Sequence, residues 1–260
     1  MTHQIPEGAL LFIRPQWAAP SFVQSLVTTR EGGISEFPYH SLNLGDHVGD
    51  LPEDVVFNRA LLHKHLPTEP IWLKQVHGTI VSTPSSRTCE ADGIVSNIPG
   101  EVLAIMTADC LPVLFATQSG GVIGAAHAGW RGLCQGVLEK TAQSMRALAN
   151  DPNEPILAWL GPAIGPTAFE VGLDVKEAFE VSNIPYPSNA FIPIIEKPGK
   201  YFANLYLLAQ SRLKTVGIEK ITGGDFCTVN QSNHFFSYRR DGVTGRFASL
   251  IWIEPKKIRA

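Results

Sequence analysis

The chain has 260 residues, of which 44% are hydrophobic, enough for a sizeable buried core. Its 21 basic and 24 acidic residues give a formal charge of -3, which argues against broad binding of nucleic acid or of an anionic membrane. No segment is apolar over the ~20 residues that cross a bilayer, and the N-terminal residues lack a signal-peptide pattern, so we expect a cytoplasmic protein that acts on small molecules.

Short β-rich runs alternate with predicted helices along the chain. The runs SLVTT, VLAIMTA, PVLFAT, GVIGAA, ILAWL and ASLIWI are largely apolar at consecutive positions, as strands covered on both faces are. Helical spacing of apolar residues predicts four helices, at about 50–66, 133–148, 174–181 and 205–216. Residues 185–200, with four prolines and a glycine, are predicted to form an exposed connection. The pattern indicates one mixed α/β domain over residues 1–260, with helices flanking β-sheets.

The first predicted helix has a recognisable start. Asp50 stands three residues before Glu53, as in a capping box, and Pro52 falls in the first turn. The apolar face is predicted to contain Val55, Val56, Leu62 and Leu66.

Polar residues follow three predicted strands. In VLAIMTADCLPVLF a strand runs into Asp109 and Cys110 before Pro112 starts the next strand. In GGVIGAAHAGWRGL a strand ends in small residues and delivers His127, and in IWLKQVHG a brief strand ends at His77. Strand ends are common places for active sites.

His77, Cys110 and His127 therefore lie at the ends of different predicted strands. Two imidazoles and one thiolate would form a three-ligand zinc site whose fourth position is open to water or substrate, an arrangement typical of catalytic zinc. The alternative is a buried apolar cysteine and two hydrogen-bonded structural histidines, and spacing alone favours that alternative. The four cysteines contain no C-x-x-C pair, which argues against a disulfide framework or a structural zinc knuckle.

Arginines mark a candidate anion site. FFSYRRDGVTGR places Arg239, Arg240 and Arg246 around an Asp-Gly turn, and guanidinium groups bind phosphate or carboxylate in forked pairs. A solvated turn with surface arginines is the alternative. Arg131 lies at a predicted helix start, where free amides favour an anion. Neighbouring Trp130 either stacks on a substrate or walls the pocket.

The segment SLNLGDHVGD is too polar for a strand and is predicted to be a loop. It offers Asn43, Asp46 and His47, which either line a site or only form a turn. His63 and His65 fall two residues apart on a predicted helix and cannot share a face, so they are not assigned to the site.

Six ordered motifs extend from about residue 40 to residue 250: HSLNLGDHVGD, LKQVHG, MTADCLPVLF, AAHAGWRGL, LGPAIGPTAFEVG and FFSYRRDGVTGR. Through them the chain resembles the YfiH family of laccase-domain proteins, once labelled polyphenol oxidases and related to the animal protein FAMIN. The resemblance implies a single α/β domain like the catalytic domain of cytotoxic necrotizing factor. It also implies a zinc ion held by His77, Cys110 and His127.

The resemblance further implies a purine nucleoside phosphorylase that acts on adenosine, inosine, guanosine and methylthioadenosine and also deaminates adenosine. In deamination, zinc would activate water for attack on C6, with Asp109 as the nearby acid. In phosphorolysis, arginines would position phosphate. The expected substrate- and phosphate-binding residues are Asn43, Arg59, Arg131, Arg239 and Arg246. The expected binding partners are the nucleoside and phosphate. The protein is expected to be a monomer or a homodimer.

Three other enzymatic functions stay open. A copper-dependent polyphenol oxidase would use the same ligands, but a laccase also needs several His-x-His pairs, and only His63-Lys64-His65 has that spacing. A cysteine hydrolase would use Cys110 as nucleophile and His127 as base. A zinc amidohydrolase could edit a peptidoglycan precursor, as the resemblance implies for some relatives. A non-enzymatic binding protein would leave these residues without a purpose.

One position departs from the family pattern. In YFANLYLLA the family commonly carries Asp where this chain has Asn204. Acid chemistry at this position is therefore in doubt, whereas Asn remains a competent N-cap for the helix that follows.

Overall fold

The computed structural model describes residues 10–182 and 184–255. The predicted domain ends, 1–9 and 256–260, lie outside the described residues. The described strands form three sheets, and their numbers follow the chain. The five-stranded sheet has the order β1 (Phe12–Ile13), β2 (Val23–Thr28), β14 (Phe247–Ile253), β6 (Val102–Thr107) and β3 (Pro70–Ile71). The six-stranded sheet has the order β13 (Lys220–Gly223), β9 (Ile156–Leu160), β7 (Leu111–Thr117), β8 (Ile123–Ala128), β5 (Gly93–Ser96) and β4 (Val81–Ser82). The small antiparallel sheet has the order β10 (Glu170–Gly172), β12 (Lys200–Ala203) and β11 (Phe191–Pro193).

The described part of the chain contains six α-helices. They are α1 (Pro52–His63), α2 (Trp130–Gln135), α3 (Val137–Leu148), α4 (Leu173–Val181), α5 (Leu205–Thr215) and α6 (Tyr238–Asp241), with a short 3-10 turn at Ser188–Ala190. In the described part of the chain, no helix combines the length and the hydrophobicity needed to cross a membrane.

The core consists of layers. Alternate side chains of β6 and β14 meet those of β7 and β8 between the two large sheets, with Ile105, Leu114 and Ile251 among them. The opposite face of the six-stranded sheet packs against helices α2 to α5. The opposite face of the five-stranded sheet packs against α1 through Leu62. The predicted mixed α/β fold with flanking helices is confirmed, while the expected likeness to the toxin domain stays a prediction.

The six predicted strands are confirmed as β2, β6, β7, β8, β9 and β14. Every residue of β6, β7, β8, β9 and β14 is buried. Burial on both faces is the physical reason for their consecutive apolar residues.

The first helix differs from its prediction. It begins at Pro52 after Leu51, and among the described side chains none caps it. The Asp50 carboxylate instead accepts hydrogen bonds from the Ser35 hydroxyl at 2.6 Å and from the Asn43 amide at 2.9 Å. Val56 on the predicted apolar face is 67% exposed, whereas Val55 and Leu62 are buried as expected.

Two other predicted segments need correction. The helix predicted over 133–148 is two helices, α2 and α3, because Gly136 adopts φ 95° between them. Such a left-handed conformation ends a helix and suits glycine. The predicted exposed connection at 185–200 contains β11 and the start of β12, and buries Ala190 and Phe191. The remaining helices, α4 and α5, confirm the prediction, with Asn204 accepting a hydrogen bond from Leu207 N as the N-cap of α5.

Candidate metal centre

The ends of β7 and β8 bring Cys110 and His127 together. Their antiparallel register places Pro112 opposite His127, so Cys110, just before β7, lies beside the end of β8. The chain reaches Cys110 from β6 through a turn in which Asp109 has φ 98°. A non-glycine residue rarely adopts this conformation. Here it occurs where the chain passes from the five-stranded sheet to the six-stranded sheet.

His77 comes from a loop. Strand β3 ends at Ile71, and His77 is exposed with φ 60°. The Gln75 side chain holds the loop against β6: Nε2 donates to Met106 O and Oε1 accepts from Met106 N, each at 2.8 Å. The prediction that a strand runs to His77 is therefore wrong, although the segment does reach the site.

The three predicted ligands form a compact group. One ligand atom from each of His77, Cys110 and His127 lies within 4.8 Å of the others. His77 Nε2 is 3.7 Å from Cys110 Sγ, and the two imidazole centroids are 4.8 Å apart. A Cβ at Gly129 would lie 2.7 Å from His77 Cδ2 and 3.1 Å from Cys110 Sγ. Glycine after the strand therefore leaves the room that the ligands occupy.

Asp92, which sequence reasoning did not single out, contacts two of these ligands. Its side chain is 0% exposed, and Oδ1 accepts a hydrogen bond from His127 Nδ1 at 2.8 Å. Burial alone would raise the pKa of this carboxyl, but hydrogen bonds from His127 and from the backbone N–H groups of Gly78 and Val76 outweigh burial and lower the pKa. The only signal in the sequence was an Asp just before the apolar run GIV.

Cys110 and His127 form a coupled pair. Burial alone would raise the pKa of the Cys110 thiol, but the charge of His127 and hydrogen bonds from both histidines lower it to about 6. Burial alone would lower the pKa of His127, but the thiolate and Asp92 raise it to about 9. The metal-free protein therefore favours a thiolate facing an imidazolium between these two values. A thiolate is the form that binds metals, and metal binding would release the imidazolium proton.

These side chains open into a cavity of about 480 Å³. Small-molecule sites typically have volumes of ~300–1,000 Å³. Three of the predicted arginines also line the cavity: Arg131, Arg239 and Arg246. Among the described residues, no carboxylate lies within ion-pair distance of these three guanidinium groups. The cavity thus combines a candidate metal centre with three cations that have no carboxylate partner among the described residues.

Two of the cavity arginines lie over aromatic rings. The Arg131 guanidinium is 4.5 Å from the centroid of the Trp130 ring, and that of Arg239 is 5.4 Å from the Phe169 ring centroid. Stacking orients a guanidinium while its N–H edge stays available for hydrogen bonds. Trp130 thus has at least the role of supporting Arg131 in the cavity wall.

Arg246 is the most enclosed of the three. Its Nη1 donates to the carbonyl oxygens of Thr244 and Gly245, each at 3.0 Å. Burial lowers the pKa of the guanidinium, while the charges of Cys110 and Asp109 raise it. Because arginine stays protonated in proteins, the cavity contains a partly buried cation near the thiol ligand.

Asp109 lines the cavity but is held by the protein. Its Oδ1 accepts from Thr228 Oγ1 and its Oδ2 from Arg239 N, both at 2.6 Å. The carboxylate therefore fastens the start of α6, and with it Arg239, to the turn before β7. Arg240 fixes the same segment by pairing with Asp241 and with backbone carbonyls. Proton transfer by Asp109 stays a prediction that these contacts do not favour.

Two predicted binding residues are not brought to the cavity. Asn43 is buried, and its Oδ1 accepts a hydrogen bond from Arg246 N at 2.8 Å, so it holds Arg246 in place. Arg59 stacks on Trp72 at 4.4 Å and lines a neighbouring groove of about 570 Å³. Substrate binding by Asn43 and Arg59 stays a prediction.

Comparison with known proteins places the chain in a family. A family model described as multi-copper polyphenol oxidoreductase laccase matches residues 24–254. The chain is 51% identical over 246 residues to a Haemophilus influenzae protein named purine nucleoside phosphorylase, covering 93% of this chain and 99% of the relative. It is also 51% identical to an Escherichia coli protein named purine nucleoside phosphorylase YfiH, covering 93% and 98%. A solved structure from Neisseria meningitidis, 45% identical, has a TM-score of 0.85 and covers 94% of this chain and 99% of that one.

The chain belongs to the YfiH family of laccase-domain proteins. A solved Bacillus licheniformis structure described as YfiH is 31% identical, with a TM-score of 0.80, and covers 89% of this chain and 93% of that one. The His-x-His pair of this YfiH-family chain lies away from the cavity: His63 pairs with Glu69 at 3.2 Å, and His65 packs on Phe12. The donor group in the cavity is therefore two imidazoles and one thiol, without a further histidine pair beside it among the described residues.

Proposed function

We propose that this chain is a zinc-dependent purine nucleoside phosphorylase that acts on adenosine, inosine, guanosine and methylthioadenosine and also deaminates adenosine. The observation that carries the proposal is the meeting, in one cavity, of a His-Cys-His group with three arginines that have no carboxylate partner in the described part of the chain. The names of relatives about half identical to the chain support the same reaction. The cytoplasmic location expected from the sequence is part of the proposal.

The donor set supports zinc as the metal. Two imidazoles and one thiolate leave a fourth position of a tetrahedral ion open, as in catalytic zinc sites. When bound, zinc would supply Lewis-acid polarisation of an oxygen and a lowered pKa of water. Copper remains the alternative because copper binds most nitrogen and sulfur sites more tightly than zinc does.

The protein's own groups account for phosphate binding. Phosphorolysis breaks the bond between C1′ and the purine nitrogen, forms a bond between C1′ and a phosphate oxygen, and gives the purine a proton. Arg131, Arg239 and Arg246 would hold phosphate through charge-assisted hydrogen bonds and orient it toward C1′. The aromatic side chains of Trp130 and Phe169 orient two of these cations.

Product analysis with and without phosphate tests the proposal. Protein purified without added metal should contain one zinc per chain. It should convert inosine to hypoxanthine and ribose 1-phosphate only when phosphate is present, and should release ammonia from adenosine without phosphate. Chelation should abolish both activities, and zinc should restore them.

Each rival reaction gives a different result. Stoichiometric copper with phenol oxidation would favour the oxidase, and activity in metal-free protein would favour a cysteine hydrolase. Amide cleavage of a muropeptide precursor, with all nucleosides untouched, would favour the amidohydrolase. Any of these three results would contradict the phosphorylase proposal.

A further inference from the structure

Asp92 lies outside the cavity yet connects the two histidine ligands. Its buried Oδ1 accepts hydrogen bonds from His127 Nδ1 at 2.8 Å and from His77 N at 2.9 Å. Its Oδ2 accepts from Gly78 N at 2.7 Å and from Val76 N at 3.2 Å. One carboxylate therefore binds the ring of one candidate ligand and the backbone of the other.

The contact with His127 determines which ring nitrogen faces the cavity. An ionised carboxylate only accepts hydrogen bonds, so His127 Nδ1 keeps its proton, and Nε2 is the nitrogen that offers a lone pair to a metal once the imidazolium has released its other proton. The His127 backbone N–H also donates to Asp92 O at 2.7 Å. Both the tautomer and the position of this imidazole are thus set by Asp92.

The contact with the His77 loop acts through the backbone. His77 has φ 60°, a conformation that costs energy in a non-glycine residue. In this conformation, three consecutive N–H groups, at residues 76 to 78, converge on the carboxylate. Convergent backbone N–H groups form an anion-binding nest, and here the anion is a side chain of the protein itself.

We propose that Asp92 is the positioning residue of the metal centre, a single carboxylate that aligns both imidazoles and thereby sets metal affinity and geometry. The inference rests on the proposed metal site. It concerns a residue that touches neither substrate nor metal, and its test does not depend on catalytic activity.

The sharpest variant is Asp92→Asn. The amide keeps the size of the side chain, but its NH2 group would face backbone N–H donors or the Nδ1–H of His127, whichever way it is turned. Outer hydrogen bonds of this kind typically change metal affinity by ~10–100-fold. We expect zinc affinity, measured by competition with a chromophoric chelator, to fall by that factor.

The matched control is Glu139→Gln. Glu139 lies on α3, outside the cavity, and its mostly buried carboxylate pairs with Arg212 of α5 at 2.6 Å. This variant should bind zinc with an affinity within about twofold of the wild type, because distant residues that share no partner act independently. Cobalt substitution provides a second measurement. The visible bands of four-coordinate cobalt with one thiolate should shift in Asp92→Asn and stay unchanged in Glu139→Gln.

The outcomes separate this inference from the proposed function. If the wild type binds zinc and Asp92→Asn matches its affinity and cobalt spectrum, the inference is overturned while the phosphorylase proposal stands. If the wild type binds zinc and cleaves no nucleoside, the phosphorylase proposal fails while the affinity comparison still tests Asp92. If Asp92→Asn does not fold, nitrogen NMR of histidines in the zinc-loaded wild type replaces it. A His127 ring protonated at Nδ1, with slow exchange of that proton, is expected, and protonation at Nε2 would overturn the inference.

Discussion

The two imidazoles reach the candidate metal centre from regions that are built in opposite ways. His127 lies in β8, which is hydrogen-bonded to strands on both sides and is wholly buried. His77 lies in an exposed loop six residues beyond the end of a two-residue strand. Strand β8 is held by its backbone hydrogen bonds to the neighbouring strands. The position of the His77 loop instead depends on hydrogen bonds to the side chains of Gln75 and Asp92.

Because of this difference, we expect the two histidines to contribute unequally to folding stability although both contribute to metal binding. A buried polar residue in a strand has hydrogen bonds that the fold needs, so its removal affects stability as well as chemistry. An exposed residue on a loop contributes little to stability. A site assembled from both kinds of region can lose its metal through the loop while the sheet stays intact.

The largest expected effect comes from removing each imidazole in turn. His127→Ala and His77→Ala should both lose zinc and reduce phosphorolysis by roughly 10³-fold, because the site then has two ligands. In metal-free protein, His127→Ala should cost about 1–3 kcal/mol of unfolding free energy, since the buried carboxylate of Asp92 loses its partner. His77→Ala should stay within about 0.5 kcal/mol. Urea unfolding measures the free energy of unfolding of both variants. Equal destabilisation by the two substitutions would contradict the proposed difference between the strand and the loop.

A second comparison concerns two arginines with different surroundings. Within the described residues, Arg246 lines the cavity without a carboxylate partner, whereas Arg59 lies in the neighbouring groove 3.4 Å from Asp46. A hydrogen bond to a charged group contributes ~1.5–3 kcal/mol, so Arg246→Ala should raise the phosphate KM about 10–100-fold. Arg59→Ala should change it less than about twofold. Steady-state kinetics with phosphate varied decides, and an unchanged KM in Arg246→Ala would remove this residue from phosphate binding.

The third prediction concerns the reactivity of Cys110, whose thiol lies beside both histidines. In metal-free protein the pKa of Cys110 is about 6, so the thiolate fraction and the alkylation rate should rise as the pH rises through 6. Burial opposes the thiolate and the charge of His127 favours it more than His77 does. His127→Ala should therefore shift the rate profile to higher pH by more than His77→Ala does.

Peptide mapping after brief iodoacetamide treatment would follow Cys110 separately from the exposed Cys89. The Cys89 rate is an internal control that neither histidine substitution should alter. Identical profiles for the two histidine variants would show that the strand and the loop act equally on the thiol.

The contrast between the buried strand and the exposed loop also explains which features can be predicted from the sequence. The buried strands are readable because burial on both faces leaves a local apolar run. The ligands are readable because each stands at a strand end or turn that is marked by a glycine or, for Cys110, by Pro112. The geometry of the His77 loop is not readable, since it depends on Asp92, which lies in a different segment. The break at Gly136 was missed because apolar spacing continues through it, although a glycine inside a helical pattern was a usable warning.

Two of the predicted binding residues, Asn43 and Arg59, are not brought to the cavity. Asn43 lies in one of the six motifs, and the residue types of both suit phosphate or ribose. Residue type alone does not say whether the polar atoms are already used, and here Asn43 bonds to the backbone of Gly45 and Arg246, while Arg59 bonds to that of Leu44. Long-range hydrogen bonding therefore decides which polar residues remain available for a ligand.

The smallest expected effect is at Asn204, the N-cap of α5. Its side chain accepts a hydrogen bond from Leu207 N at 3.1 Å and caps α5, which packs on the same face of the six-stranded sheet as α3. Asn204→Ala should cost about 1 kcal/mol of unfolding free energy, and Asn204→Asp should stay within about 0.5 kcal/mol of the wild type. Because this cap supports the regular part of the fold, neither variant should change zinc affinity or kcat/KM by more than about twofold. A tenfold rise in kcat/KM for Asn204→Asp would instead place acid chemistry at this position and extend the site beyond the cavity residues.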